Sequence, residues 1–349
     1  MPGEPSAAFV CRLLTAVAVT TAAVVVLVLG WYAVSVLLTL FAGVLVAVLL
    51  RGLTTWLASR TGWSAGPSLA VVCIGLALAI AALLTFAAAS ISQQFSEMLD
   101  QLPAAVEQAR SRIEANPLGE RILAPLSQAQ ENGGGLPMSR VLGVATGTVG
   151  AFGTLVLVIF LGIFLAADPD VYRRGALLLL PPARRPRVEA VLDETGETLW
   201  RWLGGRLLLM AVIGLLTWVG LLLLGVPLAL ALAILAGLLS FIPNLGPVVS
   251  VVPAMLLAAT QSPMDALWVG ALYLGIQSAE SYILEPFIVR RTVSLPPATN
   301  VVFQLFMGTW LGIMGLTLAT PLLAMLTVLV TRLYVEDVLG DPQPDTADA

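Results

Sequence analysis

Apolar residues along this chain come in long blocks, with little of the alternation expected of strands. The blocks run at about 13–29, 33–50, 67–89, 141–167, 207–224, 228–260, 266–284 and 301–331. A bilayer core about 30 Å thick takes roughly 20 apolar residues as helix, so the blocks predict an all-α, polytopic integral membrane protein of about eight membrane segments. The first two blocks are short and parted only by Gly30-Trp31-Tyr32, which predicts a tight hairpin with its aromatics at the interface. Two other blocks are too long for one crossing. A single helix over 228–260 would run about 50 Å, and 301–331 poses the same problem. Each has breakers near its middle: Pro243 to Pro247 in the former, Gly312 and Gly315 in the latter. Both blocks are therefore expected to be broken or re-entrant helices.

Charge gives an orientation. With the N-terminus inside, and each long block entering and leaving on one side, most arginines face the cytoplasm. These are Arg12, Arg51, Arg60, those between 168 and 206, Arg290, Arg291 and Arg332, which leaves Arg110, Arg112, Arg121 and Arg140 outside. Treating 228–260 as one crossing would move Arg290 and Arg291 outside, against the positive-inside rule. The organisation that follows has three N-terminal spans in 1–89, an external amphipathic segment at 90–140 and a fourth span at 141–167. A cytoplasmic amphipathic segment at 168–206, a membrane core at 207–332 and an acidic cytoplasmic tail at 333–349 complete it. The external segment carries a stripe at Ile91, Phe95, Met98, Leu102, Val106, Ala109 and Ile113. That spacing is helical and needs a surface to pack on. In the cytoplasmic segment, Val188, Val191, Leu192, Thr195, Leu199 and Trp202 share a face. They predict an interfacial helix feeding the next span, with its arginines near anionic headgroups.

Composition narrows the chemistry. Of 349 residues 58% are hydrophobic and 11% charged, with mean hydropathy +0.96, against roughly 25% charged in soluble chains. Every basic residue is Arg, and there is no His. The lack of His excludes Ser-His-Asp and Cys-His nucleophilic sites and His-ligated metals. A net charge of −4 with no basic run argues against a nucleic-acid partner. No glycine-rich phosphate loop with Lys occurs, so an ATP-driven pump is excluded within this chain. The expected partners are a small-molecule or ion substrate and the lipid bilayer, and no cofactor or metal is expected.

Ionisable groups inside spans cost about 2.5–3.5 kcal/mol at the centre on insertion scales and need a reason. Glu280 is the first candidate. If Arg290 marks the cytoplasmic interface, ten residues of helix put Glu280 about 15 Å deep, near the midplane. Glu285 lies shallower beside Pro286, while Gln277 and Ser281 fall on much the same face as Glu280. The second candidate is the run Phe241-Ile242-Pro243-Asn244-Leu245-Gly246-Pro247. Pro243, Gly246 and Pro247 free backbone groups from helical bonding, and Asn244 offers both donor and acceptor. Broken helices in transporters coordinate ions or substrates with such groups; a turn at the membrane surface is the alternative. Asn300 and Gln304 open the last apolar block and complete the substrate or ion pathway candidates.

These residues carry a resemblance. The run LLLLGVPLALALAILAGLLSFIPNLGPVVSVVPA (221–254) resembles the signature half of the autoinducer-2 exporter (AI-2E) family of permeases. QSAESYILEPFIVRRTVSLPPATN (277–300) is similar to that family's Leu-Glu-Pro segment, and GTWLGIMGLTLATPLLAML (308–326) to its Gly-rich last element. Leu295-Pro296-Pro297 stands where the family often has Leu-His-Pro, and Arg206 where a Gln is common. The resemblance implies membrane transport, chiefly export of small solutes such as autoinducer-2, by a homo-oligomer in the bacterial cytoplasmic membrane. Some members of the family are linked to sodium/proton exchange. A non-transporting membrane scaffold, supported only by the 91–113 stripe, is the reading from another class.

Overall fold

A computed structural model describes residues 7–78, 81, 148–243, 245–288 and 296–341, all of its regular structure helical. The external segment at 90–140 and residues Asn244, Arg290 and Arg291 lie outside the described residues. Helix α1 (Ala7–Thr61) runs for 55 residues, about 80 Å at 1.5 Å per residue. It passes through Gly30-Trp31-Tyr32 without a turn, so the hairpin expected there does not form. A lone glycine costs a helix only about 1 kcal/mol, and Trp and Tyr do not break one. A turn would have needed a proline or a second glycine. After α1 come α2 (Ala65–Leu78), α3 (Thr148–Ala167) and α4 (Pro169–Leu178), the last bent 85° from the helix before it.

Helix α5 (Arg185–Leu223) joins the amphipathic segment to the next span without a break. Its buried face repeats at helical spacing through Val191, Thr195, Leu199, Trp202, Arg206, Leu209, Ile213, Thr217 and Leu221. The first part packs on α1, where Gly52 lies flush against the Trp200 ring. Leu38, Phe41 and Leu45 of α1 form a core with Leu199 of α5 and with Met307, Leu318 and Ala319 of the last helical segment. A second core joins α1, α2 and α3 around Leu50 and Ala166.

Both overlong blocks are broken near their middles, as their breakers predict. In the first, α6 (Ala229–Leu239) and α7 (Leu245–Gln261) are joined by a tight turn. Gly246 is required there, because a Cβ would strike the Leu239 carbonyl and the Ser240 backbone. Helix α8 (Pro263–Ala279) follows, started by the Ser262 hydroxyl accepting from the Met264 and Asp265 amides at 3.1 and 3.2 Å. These helices share a core with α5 through Leu221, Leu232, Ala236, Leu257, Ala258 and Val269. A π-turn (Glu280–Leu284) then leads into the short α9 (Glu285–Ile288).

The second block, α10 (Pro297–Val330), is interrupted at Gly312, with φ 64° and ψ −149°, backbone that L side chains avoid. The interruption is a reversal. In one straight helix, residues 300 and 320 would stand about 30 Å apart. Instead the Thr320 hydroxyl donates to Asn300 Oδ1 at 3.1 Å and receives from Gln304 Nε2 at 2.9 Å. A Cβ on Gly308 would lie 3.3 Å from the Leu316 side chain, so the pairing continues to the tip. The segment is an antiparallel helical hairpin, and its first leg is too short to cross a bilayer. It ends in a π-turn (Thr331–Glu336).

One end of the molecule gathers arginines. Arg173 pairs with Asp193 at 2.8 Å, Arg187 with Glu336 and Asp337 at 2.8 and 3.0 Å, and Arg332 with Glu194 at 2.8 Å. The starts of α4 and α5 therefore lie level with the end of the last hairpin.

Candidate functional site

The first hairpin's turn leaves backbone carbonyls without helical partners. Pro243 and Pro247 lack an N–H, and the Leu245 amide turns to the Pro243 carbonyl at 2.8 Å. A helix end buried at membrane depth must find donors elsewhere. Arg206 of α5 supplies them. Its Nε donates to the Phe241 carbonyl at 3.2 Å and its Nη2 to the Ser240 carbonyl. A cation at a helix C-terminus also meets the negative end of the helix dipole. The Phe241 ring meets Trp202 edge-on, centroids 5.8 Å apart, one turn of α5 nearer the arginine-rich end.

The third contact of Arg206 is with Glu280, at 3.3 Å from Nη1 to Oε1. Arg206 is 3% exposed and Glu280 4%. Glu280 opens the π-turn, in which the Glu285 amide reaches back to the Glu280 carbonyl. Pro286 explains the wide turn, since it cannot give the N–H that an α-helix would send to residue 282. Such π-turns recur at functional sites. The charge pair thus ties two irregular pieces of backbone to one straight helix.

Beyond the pair lies a cavity of about 10 Å³, lined by Ile213 and Thr217 of α5, Ala236 of α6, Pro247 and Ser250 of α7, and Tyr273, Ile276, Gln277 and Glu280. It has room for about one water. Thr217 Oγ1, Gln277 Oε1 and Glu280 Oε2, each buried, have no hydrogen-bond partner among the described residues. The Tyr273 hydroxyl lies beside Ser250, whose own proton goes to the Pro247 carbonyl at 3.1 Å. An unmade hydrogen bond costs about 1–3 kcal/mol at a buried atom. Several around one cavity mark a place suited to a polar guest, and the neutralised charge pair beside it needs no counter-ion from that guest.

Of the residues singled out from sequence, Glu280, Gln277 and Pro247 line this cavity, and Pro243 and Gly246 shape the turn beside it. Asn244 lies outside the described residues. Glu285 is exposed on the next turn, away from the cavity. Asn300 and Gln304 belong to the separate ladder with Thr320 inside the last hairpin. Arg206 was expected among the arginines facing anionic headgroups; it is buried and faces inward. Its signal was available, since it opens the apolar block at 207–224. Thr217 and Tyr273 had none, being ordinary residues of apolar spans.

Residues 19–334 match the profile of the AI-2E family transporter. Among curated proteins, YhhT of Escherichia coli (strain K12) is 26% identical over 328 residues, covering 91% of this chain and 90% of its own. YrrI of Bacillus subtilis (strain 168) is 31% identical over 171 residues, 49% of this chain and 48% of its own. Both names read "Putative transport protein". TqsA of Escherichia coli (strain K12), named an AI-2 transport protein, is 28% identical over 152 residues, 43% of each chain. The chain thus spans about half of the Bacillus relative it matches and most of YhhT.

Proposed function

The chain belongs to the AI-2E transporter family, and from that premise we propose that it exports a small polar solute of the autoinducer-2 kind through the cavity beside Arg206 and Glu280. The bilayer crossed is the bacterial cytoplasmic membrane, with the arginine-rich end and the π-turn at 331–336 on its cytoplasmic side. The unbroken α1, whose Gly52 packs at that end, carries Ala7 to the opposite side, contrary to the orientation expected from a hairpin at Gly30. The observation that carries this reading is the convergence on one buried cavity of Thr217 Oγ1, Gln277 Oε1 and Glu280 Oε2, none with a hydrogen-bond partner among the described residues. That cavity is bounded by a broken helix and a π-turn, the arrangement by which transporters expose polar groups at membrane depth. Two hydrogen-bond acceptors and two hydroxyls suit a guest with several hydroxyls of its own.

A cavity with room for one water is closed to such a solute. Passage requires an alternation in which the turn at 240–246 or the π-turn at 280–284 moves from α5, opening the site to one side at a time. Glu280 is the residue on which both openings depend, since its Oε1 holds Arg206 and its Oε2 faces the cavity.

The test is flux in proteoliposomes loaded with a pH-sensitive dye, given autoinducer-2 or Na⁺ and comparing wild type with Glu280→Gln. Solute movement by wild type, reduced at least tenfold in the variant, supports the proposal. Proton movement driven by Na⁺ alone replaces it with cation antiport. Silence under every condition favours a scaffold.

A further inference from the structure

Helix α4 is amphipathic in an unusual direction. At 3.6 residues per turn, Val171, Tyr172, Leu178 and Leu179 fall within an arc of about 120°. All four are exposed, Leu179 by 87%. Leu177 and Arg173 lie on the opposite side. Leu177 is buried, and Arg173 reaches Asp193 at 2.8 Å and Glu189 at 3.7 Å on the first turns of α5. Those turns also carry Arg185, Arg187, Glu194 and Glu197, so they stand in water. The helix is held by its polar side to a wet element, and its apolar side points away from it.

The bend supplies the rest of the geometry. Helix α3 is 20 residues long, about 30 Å and one hydrocarbon thickness. The chain turns by 85° where α3 ends. A helix leaving a span at nearly a right angle lies along the membrane surface. Its dry side then faces the acyl chains and its wet side faces α5. Arg174, at the edge of the apolar arc, and Arg184, in the turn that follows, are exposed and have no ion pair among the described residues. Arginines at that depth extend to the headgroups while their stems stay in the apolar layer.

We infer that α4 is an in-plane anchor: Val171, Tyr172, Leu178 and Leu179 sit in the arginine-rich leaflet while Arg174 and Arg184 bind the headgroups of anionic phospholipids. The charge and the bend favour lipid over a second copy of the chain. Four side chains offer on the order of 400 Å², about half of what one partner contributes to a standard interface. The anchor is independent of what the protein carries. It would fix the start of α5, and through Arg206 the register of the buried pair, against the membrane plane.

The experiment uses the full chain in nanodiscs, with Cys11 and Cys73 replaced by Ser and a fluorophore on Leu179→Cys or, as the wet control, Asp170→Cys. Doxyl-labelled lipids should quench the label at 179 at least twofold more than at 170, and aqueous iodide should show the reverse order. Replacing a quarter of the phosphatidylcholine with phosphatidylglycerol should deepen the lipid quenching at 179. Arg174→Glu with Arg184→Glu should remove that gain without altering the gel-filtration profile. Iodide reaching 179 as readily as 170 overturns the anchor. A pyrene excimer at 179 without lipid quenching assigns the face to a second copy and also overturns it. Lipid quenching indifferent to phosphatidylglycerol and to the arginines overturns the headgroup site.

Discussion

Arg206→Met separates the structural from the solvating part of the buried pair. In the folded protein Arg206 gives one contact to Glu280 and two to the carbonyls of Ser240 and Phe241. Methionine keeps most of the volume and none of the donors. Glu280 is then left 4% exposed without its cation, and breaking a buried pair from one side costs about 3–5 kcal/mol. Each orphaned carbonyl adds about 1–3 kcal/mol wherever water does not reach it. Glu280→Gln alone should cost less, because Arg206 keeps its two carbonyls. The double variant Arg206→Met/Glu280→Gln removes the stranded charge, so it should be more stable than Arg206→Met, with a coupling of at least about 2 kcal/mol. The assay is thermal unfolding in detergent, followed by tryptophan fluorescence. One kcal/mol moves the midpoint by about 2–4 °C in domains of 150–250 residues and by less in longer chains. A loss of several degrees in Arg206→Met, half recovered in the double variant, is the expected result. A double variant no more stable than Arg206→Met would refute the claim that the two charges hold each other.

Three further outcomes follow from named contacts. Gly312→Ala forces a side chain onto φ 64°, ψ −149° and should cost about 1–3 kcal/mol, while Gly196→Ala, where a Cβ meets nothing within 4 Å, should be neutral or slightly stabilising in the same melts. Thr320→Val strips the hydroxyl that joins Asn300 to Gln304, and a loss of about 1–3 kcal/mol is expected; an unchanged midpoint would mean the hairpin legs do not depend on that ladder. Arg332→Ala removes two partly exposed ion pairs, with Glu194 and with Glu336, so it should cost about 1 kcal/mol, and the difference should shrink in melts at 0.5 M salt.

The two helical hairpins were legible because proline and glycine act locally. Pro243, Pro247 and Gly312 dictate backbone without reference to anything distant. Block length did the rest, since 33 apolar residues cannot be one crossing. The long α1 was missed for the complementary reason. Short apolar runs flanking Gly30 fit a hairpin, yet nothing between them forbids a helix. Glu280 was found because a lone carboxylate in an apolar span is conspicuous. Arg206 was assigned to the wrong environment because its position at a block edge reads equally well as a headgroup contact or as the first buried turn. Only the path of α5 across the Ser240 carbonyl distinguishes them, and that is tertiary. Thr217 and Tyr273 are of types common in apolar spans, and a Thr hydroxyl there ordinarily bonds back to its own helix, so their place at the cavity becomes visible only with every neighbour in place.

The central claim is that solute passes through the cavity beside Arg206 and Glu280. A single cysteine at Thr217, with Cys11 and Cys73 replaced by Ser, tests it most directly. Thr217→Cys proteoliposomes would be treated with a small methanethiosulfonate reagent from either side, with and without autoinducer-2, and flux would be measured before and after. The account predicts labelling that depends on an opening motion, protection by the solute, and loss of flux on modification. Complete modification of the cysteine with flux unchanged would contradict it.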